Sequence, residues 1–153
     1  MAMKQYAHDE LATQPIGYWS GETYRTVVGR IRTELAVEDL TQPHWWTLNH
    51  VAGSPGTWTR ASLAEKLARF DDLSIDFAGV FDDLTARGWM TEDPSALTLA
   101  LTDSGEAGRL RARSRNARAH EQMHRGIEPT EYVAALDVLR RIITNLDGNS
   151  DLP

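Results

Sequence analysis

Cysteine is missing from this chain of 153 residues, which excludes disulfides, thiol nucleophiles, thiolate metal sites and cysteine-based redox sensing. No apolar run approaches the roughly 18 residues a membrane-spanning helix needs. The first ten residues hold no apolar core of signal-peptide length. A cytoplasmic protein with no membrane partner is the expectation. No Ser-His-Asp order, glycine-rich phosphate loop or carboxylate pair stands out, so there are no catalytic candidates, no cofactor is expected, and the protein reads as a non-enzyme. Positive charge is also scarce, with 16 basic residues against 22 acidic ones and a net charge of −6. Nucleic-acid binding rests on basic side chains that displace counterions, so such a function requires the bases to gather on one face. Of those bases 14 are arginine and only Lys4 and Lys66 are lysine.

What is present is an ordinary globular composition, 41% hydrophobic and 25% charged, in a length suited to one domain over 1–153. The first dozen residues and the tail from Gly148 are polar and read as frayed. Ile16, Trp19, Thr23, Val27, Ile31 and Leu35 recur at gaps of three and four, one face of a long first helix. Leu40-Thr41-Gln42-Pro43 interrupts it, with Thr41 or Gln42 able to cap and Pro43 suited to a helical first turn. A second helix runs from His44 to Ala52 and ends at Gly53-Ser54-Pro55-Gly56. A third starts at Thr59 and turns Leu63 and Leu67 inward. After Phe70-Asp71-Asp72, Ser74 can cap a fourth helix with Phe77, Val80, Phe81 and Leu84 inside. Gly88 sits where a left-handed residue is wanted. Trp89-Met90-Thr91 begins a strand, Glu92-Asp93-Pro94-Ser95 turns, and Leu97, Leu99 and Leu101 alternate as its partner. Asp103-Ser104-Gly105-Glu106 reads as a capping box opening a fifth helix that reaches His124.

The last helix carries Tyr132, Leu136, Leu139, Ile143 and Leu146 at alternating gaps of four and three, a helix-to-helix seam. Val133, Val138 and Ile142 widen that stripe beyond what one small chain can cover, which predicts a homodimer with Ile16 also at the interface. The fold class is therefore mainly α, a winged helix-turn-helix with a short β-hairpin wing over 43–101. Flanking amino- and carboxy-terminal dimerisation helices occupy 15–38 and 103–147.

Three stretches in this order resemble the MarR family of bacterial transcription regulators. Leu40-Thr41-Gln42-Pro43-His44-Trp45-Trp46-Thr47-Leu48 is similar to the family's entry to its second helix. Ala61-Ser62-Leu63-Ala64-Glu65-Lys66-Leu67 is similar to its third. Leu84-Thr85-Ala86-Arg87-Gly88-Trp89 and Leu101-Thr102-Asp103-Ser104-Gly105 resemble the frame around its wing. The resemblance implies a homodimer whose fourth helices enter successive major grooves of a pseudo-palindromic duplex. It also implies a repressor that releases DNA when a small, often aromatic, anion binds between the dimer helices and the DNA-binding lobe.

The residues that would meet DNA are unusual for that task. Thr59 and Arg60 open the third helix, and Ser74, Ile75, Asp76, Ala78 and Gly79 open the fourth. Asp76 can accept from a cytosine amino group, while Arg60 and Ser74 can hold phosphates. Yet relatives often carry bases where this chain has Gly79 and Asp83. Residues 57–93 hold four bases (Arg60, Lys66, Arg69, Arg87) against eight acids (Glu65, Asp71, Asp72, Asp76, Asp82, Asp83, Glu92, Asp93), a net of −4. The wing tip Glu92-Asp93-Pro94-Ser95 has no arginine. Two readings follow: a ligand-responsive regulator that binds double-stranded DNA, or a repurposed lobe that has lost base reading and binds or acts on a small molecule or engages a protein.

Other constellations have equally plain alternatives. Arg111, Arg115, Arg118 and Arg125 stripe the fifth helix, either to contact an anion or to pair with acids of a partner chain. His120-Glu121-Gln122-Met123-His124 matches the zinc-peptidase pattern in spacing. No substrate-bearing sheet accompanies it, so no metal is expected, and His120 and His124 are the residues one would use. Tyr18, Trp19, Tyr24, Trp45, Trp46 and Trp58 crowd the first third and are core or the walls of a small-molecule pocket. A pocket for a small aromatic or amphipathic molecule would be lined by Trp19, Thr23, His44, Trp45, Asn49, Arg113 and His120.

Overall fold

The computed structural model describes residues 2–71 and 73–152; Asp72 of the expected Phe70-Asp71-Asp72 turn lies outside them. The elements in order are α1 (His8–Ala12), α2 (Ile16–Ala36), α3 (Gln42–Gly53), α4 (Arg60–Leu67) with a 3-10 turn at Ala68–Phe70, α5 (Phe77–Ala86), β1 (Met90–Glu92), β2 (Leu99–Leu101), α6 (Asp103–His124) and α7 (Pro129–Asn145). They fall into two compact units, Met1–Ala119 and His120–Pro153.

In the first unit, α3, α4 and α5 close over a core to which each gives its apolar face: Leu48 and Val51, Leu63 and Leu67, Phe77, Phe81 and Leu84. Leu35 from α2, Met90 and Leu99 from the strands and Ala112 from α6 complete it. Each fully buried Leu or Phe contributes about 1.5–3 kcal/mol. The two strands pair antiparallel with Met90 opposite Leu101 and Glu92 opposite Leu99. The Leu99 N–H also donates to the Trp58 carbonyl at 2.8 Å, which ties the hairpin to the segment before α4. This is a winged helix-turn-helix lobe.

Capping chemistry sets the element ends. Thr59 precedes α4, its hydroxyl accepting from the Ser62 N–H at 3.2 Å while Ser62 Oγ accepts from the Thr59 N–H at 3.0 Å. Gly88 takes φ +72° and lets the Trp89 N–H reach back to the Leu84 carbonyl at 3.0 Å, ending α5 and starting the wing. Trp89 then packs on α6 where only glycine fits, because a Cβ at Gly105 or Gly108 would collide with it.

Four expectations need correction. Residues 8–12 are helical rather than frayed, and Tyr6 packs edge-on against Trp19 at 6.3 Å. Ser74 does not cap the fourth helix. It sits at φ +54°, and α5 begins three residues later, after Asp76. The cause is Asp71, whose carboxylate accepts from the Leu73 N–H at 2.8 Å and the Ile75 N–H at 2.5 Å and so holds the loop through Ser74. Leu97 does not join the strand; it takes φ +58° in a turn whose Ser95 and Ala96 N–H groups donate to Asp93. Finally, α6 is capped by Thr102 rather than Asp103. The Thr102 hydroxyl accepts from the Gly105 N–H at 3.1 Å and donates to the Gly88 carbonyl at 2.5 Å.

In the second unit the Glu128 N–H donates to the Glu131 carboxylate at 2.9 Å and Pro129 opens α7. No residue of α7 is buried. Its apolar stripe is open to solvent, with Tyr132 37%, Leu136 43% and Leu146 77% exposed, the last just past the helix end.

Candidate functional site

The helix-turn-helix surface is built from α4, α5 and the hairpin. On α5, Ala78, Gly79 and Asp82 are exposed and Asp76 stands at its start, whereas Ile75 tucks partly into the core. Small side chains here permit close approach of another molecule. Two of its cations are already engaged, however. Arg60 Nη1 donates to Asp82 at 2.6 Å, and its Nε lies 3.4 Å from Glu92 at the wing. Arg87 Nη2 lies 2.6 Å from Asp83 and also donates to the Asp39 carbonyl at 2.9 Å. Lys66 and Arg69 are the cations of residues 57–93 that make no ion pair or hydrogen bond among the described residues. The scarcity of positive charge read from sequence is thus deepened by pairing.

His44 is the hub beneath this surface. Standing in the first turn of α3, its Nδ1 accepts from the Thr41 N–H at 3.3 Å and lies 2.7 Å from the Thr41 hydroxyl. Its Nε2–H donates to Asp83 on α5 at 2.8 Å. This neutral tautomer satisfies both partners. Burial lowers the His44 pKa from its ordinary value and outweighs the upward pull of Asp83. The guanidinium of Arg87, with a smaller contribution from His44, holds the Asp83 carboxyl below the usual range. His44 was expected in a pocket wall; both of its nitrogens are instead spent on capping α3 and bracing α5.

The remaining expected ligand residues are dispersed in role. Trp19 is 45% exposed and its Nε1–H donates to Gln14 at 2.8 Å. The Thr23 hydroxyl donates to the Trp19 carbonyl at 2.7 Å, within α2. Trp45 packs against the core. Asn49 is fixed at both ends, donating to the Trp45 carbonyl at 3.0 Å and accepting from Arg109 at 3.2 Å. Arg113 is exposed and without a hydrogen bond or ion pair among the described residues. His120 belongs to the second unit.

The arginine stripe of α6 resolves into distinct jobs. Arg111 and Arg115 donate to the two oxygens of Glu38 at 2.9 and 3.0 Å, and these hydrogen bonds, Arg111 first, hold the Glu38 carboxyl below its usual range. That one acid belongs to the same chain rather than to a partner. Arg109 clamps Glu106 at 2.6 and 2.8 Å, while Arg118 makes no such contact among the described residues. In the second unit the His120 and His124 rings lie 4.3 Å apart and His124 is 4.5 Å from Tyr132, an aromatic stack. Among the described residues no group of three metal-ligating side chains forms.

Sequence reasoning missed one feature. An open, shallow cavity of about 280 Å³ lies against the carboxy-terminal half of α3, lined by Asn49, His50, Gly53, Ser54 and Trp58. His50 packs edge-on to Trp58 at 6.0 Å and against Phe70 at 6.2 Å, and Phe70 in turn meets Trp46 at 6.2 Å. Trp58 Nε1 is a buried donor with no acceptor among the described residues. The signal was present as Trp46-x-x-x-His50-x-x-Gly53-Ser54, one helical face that ends in small residues.

No protein-family profile matches the chain, and neither does any curated protein sequence. Solved structures do match it. The PcaV transcriptional regulator of Streptomyces coelicolor has a TM-score of 0.70 at 23% identity, covering 89% of this chain and 100% of its own. The CouR repressor bound to p-coumaroyl-CoA has a TM-score of 0.67 at 24% identity, covering 90% and 97%. Reduced MarR from E. coli has a TM-score of 0.62 at 18% identity, covering 85% and 94%. The chain has the fold of the MarR regulators, as its motif order implied.

Proposed function

We propose that the protein is a homodimeric, ligand-responsive transcription regulator of the MarR type, acting as a repressor that a small aromatic molecule releases from double-stranded DNA. The observation that carries this reading is the arrangement of α3, α4, α5 and the hairpin, with a small, exposed α5 surface at Ala78, Gly79 and Asp82 that no core contact requires. Thr59, Arg60, Ser74, Ile75, Asp76, Ala78 and Gly79 supply the DNA contacts, Arg60 to phosphate and Asp76 to an amino edge. The seam of Tyr132, Leu136, Leu139, Ile143 and Leu146, none of them buried, with Ile16 47% exposed on α2, supports dimerisation through a second copy. CouR has been solved with p-coumaroyl-CoA and PcaV with its natural ligand, which supports a ligand-released mechanism for this shared fold. Any ligand that binds the DNA-incompetent arrangement better shifts occupancy by its differential affinity alone.

The engagement of Arg60 and Arg87 by acids favours a second reading, a lobe that binds a small molecule or a protein without reading bases. Fluorescence anisotropy against DNA flanking the protein's own gene, across a salt series, separates the two. The regulator gives a saturable complex with a steep salt slope. Binding no tighter than to unrelated DNA at low salt, by a protein verified as folded and dimeric, leaves the second reading.

A further inference from the structure

We propose that the cavity at the end of α3 is a binding site for an uncharged aromatic molecule carrying an amide-like donor–acceptor pair. This deepens the ligand-responsive reading and moves the ligand away from the Trp19–His44 residues. It rests on four features of the cavity.

The first is the wall. Trp58 and His50 line it with ring centroids 6.0 Å apart and give a planar guest aromatic contact, while Phe70 backs His50 at 6.2 Å and Trp46 backs Phe70 at 6.2 Å. The second is the floor, where Gly53 has open space at its Cβ position and Ser54 adds only a hydroxyl. A volume of about 280 Å³ admits one or two rings.

The third is the polar pair. His50 Nδ1 lies 2.8 Å from the Trp46 carbonyl, which can only accept, so Nδ1 carries the proton and Nε2 of the neutral ring is an acceptor. Trp58 Nε1–H is a donor only, buried and unpartnered among the described residues. A buried donor left unpaired is destabilising, and a guest carbonyl reached by a small tilt of the indole pairs it. One acceptor and one donor match an amide, which supplies N–H to His50 and C=O to Trp58.

The fourth is charge. Arg109 approaches this region through Asn49, but Glu106 takes it at 2.6 and 2.8 Å, and Asn49 takes its remaining arm at 3.2 Å. No cation is among the described residues that line the cavity. A carboxylate laid there meets no counter-charge among the lining residues, and it lacks the N–H that His50 can accept, so the site favours the uncharged amide.

Benzamide and benzoate, matched in shape and differing in charge, test this on the full-length protein without DNA, so the outcome is independent of the DNA-binding assay. The five indole N–H signals are followed by heteronuclear NMR, with Trp58→Phe identifying the Trp58 signal. Benzamide is expected to move that signal downfield saturably, with benzoate at least tenfold weaker. His50→Phe, which keeps a ring but removes the acceptor, is expected to weaken benzamide at least tenfold while retaining the folded spectrum. Absence of a saturable shift with benzamide up to its solubility, equal binding of benzoate, or a response confined to another tryptophan overturns the proposal. Should His50→Phe lose its folded spectrum, Trp58→Phe decides: undiminished benzamide binding to it, read by calorimetry, also overturns the proposal.

Discussion

Replacing Asp82 by asparagine should tighten DNA binding, because Asp82 competes with phosphate for Arg60. The pair is close, 2.6 Å, yet the Asp82 side chain is 71% exposed and that of Arg60 33%. Screened pairs of this kind are worth about 0.2–1 kcal/mol to the fold, so the variant stays folded. Its effect on DNA has two parts. A carboxylate about 7 Å from a phosphate in water costs about 0.6 kcal/mol by Coulomb's law, and that repulsion vanishes. Arg60, released, gains a charge-assisted phosphate contact worth about 1 kcal/mol net of what it gave up. Together these amount to about tenfold in affinity at low salt. One further neutralised phosphate also steepens the slope of log K against log salt by about 0.9. Anisotropy titrations of wild type and variant on one duplex at several salt concentrations read both quantities. Weaker binding by Asp82→Asn would show that Asp82 positions Arg60 rather than competing for it, and an unchanged slope would show that the phosphates Arg60 neutralises do not depend on Asp82.

Three further outcomes follow from the same geometry. His44 has its pKa lowered by burial from an ordinary 6.5, so its contribution is present above that value and is lost as pH falls through the folded pKa. Thermal melts should hold their midpoint above neutrality and decline on acidification, and His44→Ala, at a cost of about 1–2 kcal/mol for the lost cap and bond, should flatten that decline. A slope between pH 7 and 5 that is the same in both proteins would contradict it. Gly108→Ala drives a methyl group into the Trp89 ring and should lower the urea midpoint by the equivalent of about 1–3 kcal/mol; an unchanged midpoint refutes that packing. Leu136→Lys charges the open stripe of α7 and should convert a dimer to monomer by sedimentation equilibrium, whereas a persistent dimer would place the interface elsewhere.

Much of the architecture was legible because it depends on local chemistry. The periodicity of α2 and α7, Pro43 and Pro129 at helix starts, Thr59 before α4 and Gly88 after α5 each act within a turn or two of chain. Errors arose where two residues could play one part and a tertiary contact chose between them. Thr102 and Asp103 can both cap α6, and the hydroxyl prevails through its reach to Gly88, 14 residues earlier. Ser74 looks like a cap, but Asp71 claims the preceding loop. Long-range pairings were out of reach: Glu38 lies 73 residues before Arg111 and 77 before Arg115, and neither spacing leaves a trace in the sequence. For the site, Thr41-x-x-His44 has capping-box spacing with histidine in place of the usual glutamate, so His44 could have been recognised as structural. The deficit of positive charge over 57–93 was fully visible; its pairing with Asp82, Asp83 and Glu92 required the fold.

Nuclease footprinting on the DNA beside the protein's own gene tests the central claim most directly, because it reports where and how the lobe sits. A dimer carrying two α5 helices should protect two symmetry-related half-sites about one helical turn, roughly 10 base pairs, apart. Leu136→Lys should abolish that paired protection. Folded, dimeric protein that leaves the whole region open to cleavage at low salt, or that protects it without symmetry or preference, would contradict the account.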